Sequence, residues 1–180
     1  MTILKIDSSI TGDNSVSRQL TAAVTDQLRK ANPGSTVVQR DLVATPLSHL
    51  TLGGSGEQDV LEEFLAADTI VVGAPMYNFT VPSQLKAWID RILVAGTTFR
   101  YTEAGPEGLA GGKRVIVAVS RGGFYDAGNS FEHVEAYLKP FFNFIGIEPE
   151  FVRAEGTAVS AEHRDAGLAS GLAEVERLAA

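Results

Sequence analysis

The amino-acid sequence predicts an α/β fold, a three-layer sandwich in which an open, five-stranded parallel sheet has helices on both faces. Three observations carry this prediction: five short apolar runs, helical spacing between them, and regular alternation of the two along the chain. Repeated βα units build parallel sheets, because each helix returns the chain to the start of the next strand. For five strands, 2-1-3-4-5 is the commonest order that fits.

The predicted strands are short and rich in β-branched residues. Near-continuous apolar runs are typical of central parallel strands, since helices cover both of their faces. The second run alternates somewhat between apolar and polar residues, and the fifth is weaker than the others. The five runs occupy residues 3–6, 36–40, 69–73, 114–119 and 150–153.

The predicted helices are segments whose apolar residues repeat with the spacing of one helix face. The third has Thr80 as a candidate cap and Pro82 in its first turn, and Pro140 is expected to kink the fourth. The first ends at a strong stop, Asn32-Pro33-Gly34. The five segments are residues 16–31, 58–66, 81–94, 129–145 and 161–178.

The connections predict one domain over residues 1–180, without a repeat or an interdomain linker. Residues 52–56 are mostly glycine and predict a flexible loop. Residues 97–112 form a longer insertion before the fourth strand, and their turn-forming residues predict a small hairpin.

Composition excludes several classes of function. The 180-residue chain has a formal net charge of −7, which disfavours a nucleic-acid partner, and it has no cysteine for disulfide, thiol or iron–sulfur chemistry. The three histidines lack metal-ligand spacing, so no metal site is expected. The sequence has neither a signal-peptide pattern at residues 1–7 nor a membrane-spanning apolar run, so we expect a cytoplasmic location.

The first candidate binding loop follows the first predicted strand, because ligands of open parallel sheets lie beyond the carboxyl ends of the strands. It is rich in hydroxyls and opens into a helix, whose free N–H groups suit a phosphate. Ser9, Ser15, Val16 and Ser17 are the candidate phosphate-binding residues. The alternative is that Asn14 or Ser15 only caps the helix.

The second candidate loop combines Met76, Tyr77, Asn78 and Phe79 directly after a nearly all-apolar strand. Apolar side chains suit a flat aromatic ring, while Asn78 and backbone groups can bond its polar edge. The alternative is that Met76 and Phe79 are core residues at a tight turn.

The third candidate loop contains Ser120, Arg121, Gly122 and Gly123. Adjacent glycines permit a positive φ or a close approach of the backbone to a ligand, and an ordinary glycine turn is the alternative. Together the three loops offer a phosphate cradle, an apolar ring slot and a close-approach turn, which suit a flavin mononucleotide (FMN). The sequence has no Gly-x-Gly-x-x-Gly or Walker A motif, so a Rossmann dinucleotide or P-loop site is not supported.

These motifs, in this order and spacing, resemble those of the bacterial FMN-dependent NADH-azoreductases, also described as NADH:quinone oxidoreductases. The resemblance covers residues 3–156. It implies a flavodoxin-like fold, a homodimer with its active site at the interface, and FMN contacts at Ser9 and at residues 15–17, 76–79 and 120–123. The motifs are Ser9, Ser15-Val16-Ser17, Pro75-Met76-Tyr77-Asn78-Phe79, Phe99-Arg100-Tyr101-Thr102-Glu103, Gly105-Pro106-Glu107-Gly108-Leu109, Ser120-Arg121-Gly122-Gly123 and Phe144-Ile145-Gly146-Ile147.

The resemblance also implies an activity: a two-step hydride exchange from NADH or NADPH, through reduced FMN, to quinones or azo compounds. Tyr101, Phe124 and Phe144 are the candidate walls of the pocket for flat aromatic acceptors, and no catalytic acid or base is assigned. Residues 50–59 look shorter than in many relatives, so this region is expected to affect substrate range. Two alternatives remain open: a flavodoxin-type electron carrier without nicotinamide turnover, and a cofactor-free α/β binding module.

Overall fold

Seven strands and five helices follow one another in the computed structural model, which describes residues 1–52, 58–126 and 128–178. The strands are β1 (Thr2–Asp7), β2 (Thr36–Asp41), β3 (Thr69–Pro75), β4 (Phe99–Thr102), β5 (Gly105–Gly108), β6 (Arg114–Ser120) and β7 (Glu150–Ala154). The helices are α1 (Val16–Ala31), α2 (Gln58–Ala66), α3 (Ser83–Ile92), α4 (Glu135–Phe144) and α5 (Ala161–Arg177).

The main sheet has the strand order β2-β1-β3-β6-β7, and all of its neighbouring strands are parallel. These strands are the five apolar runs of the sequence, so the predicted order 2-1-3-4-5 is confirmed. All five carboxyl ends lie at one edge of the sheet. The loops after β1, β3, β6 and β7 therefore meet there.

Successive residues of the strands face two separate cores. Ile70 and Val72 of β3 pack with helices α2, α3 and α4, whereas Val71 packs on the other face with α1 and α5. Both faces of the sheet are therefore covered, as the apolar runs predicted. None of the helices in the described part of the chain is long and apolar enough to cross a membrane.

The largest differences from the predicted helix boundaries are at two N-termini, and α3 also ends two residues early, at Ile92. Helix α3 begins at Ser83 instead of residue 81, because Pro82 has extended backbone (ψ 146°) and occupies the N-cap position expected for Thr80. Helix α4 begins at Glu135, six residues later than predicted, with Pro140 inside it. The Glu132 carboxylate accepts the backbone N–H groups of the first residues of α4, which stops the helix from extending towards residue 129.

The predicted hairpin is present as β4 and β5, which pair antiparallel. It packs against the end of α4 so closely that a Cβ on Gly108 would lie 2.2 Å from the backbone nitrogen of Gly146. The predicted loop at residues 52–56 and the region 50–59 fall largely on residues 53–57, which lie outside the described residues.

Candidate functional site

The loop after β1 ends in a capped helix N-terminus. Ser15 is the N-cap of α1, and its Oγ accepts the N–H of Arg18 at 3.2 Å and lies 3.1 Å from the Oγ of Ser17. Capping leaves the first-turn N–H groups of Val16 and Ser17 available, and such groups favour an anion. The capping alternative is thus correct for Ser15, and it is compatible with phosphate binding.

A hydroxyl network joins this loop to the loop after β3. The Oγ of Ser9 lies 3.0 Å from both the Thr11 Oγ1 and the Tyr77 hydroxyl, which also accepts the N–H of Ile10 at 3.1 Å. Ser8 donates to the carbonyl of Gly73 at 2.6 Å. Tyr77 therefore fixes the geometry of the first loop and contributes a hydroxyl to the cavity between the two loops.

Arg18 stabilises the first loop from behind. Its guanidinium donates to both Asp41 carboxylate oxygens at 2.6 and 2.9 Å, and to the Ser9 carbonyl at 2.8 and 3.2 Å. The hydrogen bond with Arg18 lowers the pKa of Asp41 to about 2 and raises that of Arg18. Because Asp41 neutralises it, Arg18 adds little charge for a phosphate.

The loop after β3 makes a tight turn with unusual backbone. Tyr77 and Thr80 exchange backbone hydrogen bonds at 3.0 and 3.2 Å, and the two residues between them have positive φ, 48° at Asn78 and 74° at Phe79. Positive φ is tolerated by Asn but costs a bulky residue such as Phe about 1–3 kcal/mol. The tight-turn alternative is thus partly correct, yet Phe79 is 48% exposed and is no core residue.

The loops after β6 and β7 lie against each other. The backbone N–H groups of Gly156 and Ala158 donate to the carbonyls of Gly123 and Gly122, each at 3.0 Å. Neither Gly122 nor Gly123 has a positive φ, and a Cβ on Gly122 would lie 3.1 Å from that of Ala158. Close approach, and not left-handed backbone, explains the glycine at position 122.

Arg121 is buried in a cluster of carboxylates behind this pair of loops. It contacts Glu155 and Glu132 at 3.0 Å and Glu135 at 2.5 Å, and only 4% of the residue is exposed. Burial lowers the pKa of Arg121, but the hydrogen bonds with Glu155 and Glu135 outweigh it and the pKa is raised. Among the described residues, its Nε has no hydrogen-bond partner. The side chain expected at the cofactor therefore serves to join three segments.

A cleft of about 480 Å³ opens where these loops meet, a size in the range of small-molecule sites. It brings together seven of the predicted cofactor-binding residues with six others that were not predicted to bind the cofactor. The predicted ones are Ser9, Ser15, Val16, Met76, Tyr77, Ser120 and Gly122; the others are Thr11, Asn14, Pro75, Thr157, Ala158 and Arg164.

The remaining predicted cofactor residues lie beside this cleft. Ser17 is fully buried beneath Ser15, and Gly123 is engaged with the loop after β7. Asn78 lines a shallow depression of about 580 Å³ that shares Met76 and Tyr77 with the cleft. Phe79 follows Asn78 in the same turn and packs on Phe131, with ring centroids 5.2 Å apart.

The three aromatic residues predicted for the substrate wall do not form one surface within this chain. Phe99 contacts both Tyr101 and Phe144, with ring centroids 5.5 and 4.9 Å away, which places these two at the hairpin. Phe124 instead packs against His163 of α5 at 5.8 Å. Tyr101 is 75% and Phe124 61% exposed, and neither lines the cleft.

A larger cavity of about 800 Å³ lies over the Arg121 cluster, yet it suits a phosphate less well. Its lining includes the carboxylates of Glu132, Glu135 and Glu155, which already engage Arg121. The cations of this cavity, Arg121, Lys139 and Arg153, are each paired with a carboxylate, whereas the smaller cleft offers hydroxyls and a helix N-terminus. The chemistry of the donors therefore selects the smaller cleft as the candidate site.

Comparison with known sequences identifies close relatives. A family described as having a flavodoxin-like fold matches residues 1–179. FMN-dependent NADH:quinone oxidoreductase 2 from Bradyrhizobium diazoefficiens is 54% identical over 193 residues, covering 96% of each chain. FMN-dependent NADH:quinone oxidoreductase 1 from Xanthomonas axonopodis pv. citri is 53% identical over 184 residues, covering 96% of this chain and 94% of its own.

Solved structures give the same result at lower identity. The azoreductase from Bacillus anthracis str. Sterne matches with a TM-score of 0.87 and 28% identity, over 98% of this chain and 97% of its own. An FMN-dependent NADH-azoreductase from Bacillus anthracis str. Ames Ancestor, crystallised in complex with FMN, matches with a TM-score of 0.84 and 28% identity, over 98% and 95% of the two chains.

Proposed function

The chain belongs to the flavodoxin-like family of FMN-dependent NADH:quinone oxidoreductases, and from this membership we propose that it binds FMN and transfers hydride from a nicotinamide cofactor to quinones or azo compounds. NADH is the proposed donor, because the relatives are named for it. One FMN-binding domain over residues 1–180 is part of the proposal, supported by the match to residues 1–179.

The cleft at the carboxyl edge of the sheet carries this proposal, because its donors fit FMN. The hydroxyls of Ser9, Thr11 and Ser15 and the N-terminus of α1 suit a phosphate. Met76 and Tyr77 offer apolar surface for the flat ring next to them. A cradle of neutral donors beside an apolar slot matches the two ends of the cofactor.

The turn at Asn78 and Phe79 is proposed to bind the polar edge of the ring. Within the described residues, no hydrogen bond uses the backbone N–H of either residue. Strained backbone of this kind is common where a loop is held ready for a ligand. The Asn78 side chain lines the adjoining depression and supplies a further donor.

The protein's part in the reaction is to bind and orient. FMN, when bound, supplies the hydride chemistry, accepting from the dihydronicotinamide and giving to the acceptor. Tyr77 and Arg18 hold the first loop through the Ser9 hydroxyl and carbonyl, which fixes the phosphate end. The described residues that line the cleft include no carboxyl group, and the proposal assigns no catalytic acid or base.

A homodimer with a shared substrate pocket is also proposed. It is supported by the exposed aromatic side chains of Phe79, Tyr101, Phe124 and Phe131, which are 48–75% exposed and unusually large for a solvated surface. In a dimer, Tyr101 and Phe124 can face the pocket of the partner subunit. Light scattering should report twice the 19.1 kDa mass, and a monomer would contradict this part. A cytoplasmic location is proposed because NADH is held inside the cell.

The test of the function is a spectrum followed by an anaerobic reduction. We expect the purified protein to bind FMN and turn yellow, to bleach rapidly with NADH, and to regain its colour when a quinone is added. Slow bleaching would favour the flavodoxin-type electron carrier. A protein that stays colourless after FMN is added would favour the cofactor-free binding module, and both results would overturn the proposal.

A further inference from the structure

Arg164 is the one charged residue among those described that line the candidate FMN cleft. It lies near the start of α5, a helix that contains no predicted site residue. Its guanidinium donates to the backbone carbonyl of Asn14, in the turn that precedes α1. A cation therefore lines the cleft next to the turn that leads into α1, at the end where the phosphate is expected.

The two other arginines near the site are not available for a ligand. Arg18 makes two hydrogen bonds to Asp41, and Arg121 is surrounded by Glu132, Glu135 and Glu155. Both charges are thus neutralised within the protein. Within the described residues, the only bond made by the side chain of Arg164 goes to a neutral carbonyl. Because a guanidinium has five N–H donors, most of them remain free.

The charge of the whole chain makes this cation important. The net charge is −7, so the protein as a whole repels a phosphate dianion. Hydroxyls and a helix N-terminus bind phosphate well, but they carry only partial charges. A full positive charge in a half-buried position adds a charge-assisted hydrogen bond, which is about twice as strong as a neutral one.

We propose that Arg164 is a specificity-determining residue that binds the phosphate of FMN and makes the cleft prefer FMN to riboflavin. This inference rests on the proposed function, since it assumes that FMN occupies the cleft. The hydrogen bond from Arg164 to the Asn14 carbonyl also ties α5 to the phosphate-binding loop, so the loop is held in place before FMN binds. A purely structural tether acts through a neutral carbonyl and would be insensitive to salt, whereas a contact between the guanidinium and the phosphate weakens as ionic strength rises.

The test compares the affinity of flavin-free protein for FMN and for riboflavin, followed by quenching of flavin fluorescence. Arg164→Gln should weaken FMN binding about 10- to 100-fold, the range for loss of a charged hydrogen bond, and change riboflavin binding less than about twofold. Arg164→Lys should fall between wild type and Arg164→Gln. The control is Arg177→Gln, which removes the same charge from an exposed position at the other end of α5 and should alter neither affinity.

Ionic strength and pH supply a second readout. The ratio of the FMN Kd of Arg164→Gln to that of wild type should shrink between 0.05 and 0.5 M KCl, because salt screens the charge. The same ratio should shrink below about pH 6, where the phosphate loses a charge. Unchanged FMN affinity in Arg164→Gln, or equal weakening of both flavins, would overturn the inference. A wild type that binds neither flavin would instead overturn the proposed function, so the two failures are distinguishable.

Discussion

Ser15 offers a way to separate helix capping from ligand binding at one position. Its Oγ both caps α1, through the N–H of Arg18, and lines the candidate cleft. Asp and Ser are about equally good N-caps, so Ser15→Asp should keep the helix while placing a carboxylate where the phosphate is expected. Ser15→Ala removes the cap and adds no charge. We therefore expect Ser15→Asp to abolish tight FMN binding without unfolding the protein.

The size of the effect follows from the burial of Ser15. Two unit charges 4 Å apart interact by about 1 kcal/mol in water and about 4 kcal/mol at an effective dielectric constant of 20. Ser15 is 3% exposed but borders an open cleft, which favours a penalty of about 2–3 kcal/mol, or roughly 30- to 150-fold in the Kd for FMN. Ser15→Ala should lower the free energy of unfolding by about 1 kcal/mol.

The assay is a fluorescence titration with FMN alongside urea denaturation of the flavin-free protein. Ser35→Asp is the matched control, because it adds the same charge just before β2, at the opposite edge of the sheet. The control should leave the Kd for FMN unchanged. If Ser15→Asp binds FMN as tightly as wild type while remaining folded, the phosphate lies elsewhere and the assignment of the first loop is wrong.

Three further predictions concern stability measured by denaturation. The pKa of Asp41 is lowered to about 2 in the folded protein. The difference in unfolding free energy between wild type and Asp41→Asn should therefore be full above pH 4 and decline as the pH falls towards 2. A free-energy difference that stays constant from pH 6 to 3 would refute this prediction. Arg121→Met should cost about 3–5 kcal/mol, because it removes a buried cation and leaves the partly buried carboxylates of Glu132 and Glu155 without that partner. Arg100→Met breaks an exposed pair and should cost less than about 1 kcal/mol; equal costs would contradict the role given to burial. Gly167→Ala should lower the Tm, because the new Cβ would lie 2.2 Å from the Glu155 carbonyl oxygen. Helix propensity alone would favour alanine by about 1 kcal/mol. A higher Tm would therefore show that α5 can move away from the clash.

The sheet was predictable because its signal is local. Each apolar run is recognisable without knowing what packs on it, and the rule for parallel sheets then gives the edge where ligands lie. That rule also applies to β7, whose carboxyl end adjoins that of β6. The predicted site draws on the loops after three strands only and leaves out Thr157, Ala158 and Arg164, although the predicted strand order places the loop after β7 at the same edge.

The partners of the charged residues were not predictable in the same way. Arg18 and Asp41 lie 23 residues apart, and Arg121 meets carboxylates from residue 132 to residue 155. Such pairings depend on the tertiary fold and leave no periodic pattern. The late start of α4 has the same origin, because the Glu132 carboxylate accepts backbone N–H groups of the helix and also binds Arg121. The apolar spacing before Glu135 gave no sign of this.

The arginines around the cleft therefore have two kinds of role, and binding experiments can separate them. Arg18 and Arg121 are neutralised by carboxylates and hold backbone segments together, so replacing either should lower the free energy of unfolding. Any loss of FMN affinity in these two variants arises from misplaced backbone and should not depend on salt. Arg164 has no such partner within the described residues and faces the cleft, so its replacement should weaken FMN alone. A selective loss of FMN affinity that shrinks as salt rises thus identifies the arginine that contacts the phosphate, independently of any loss of stability.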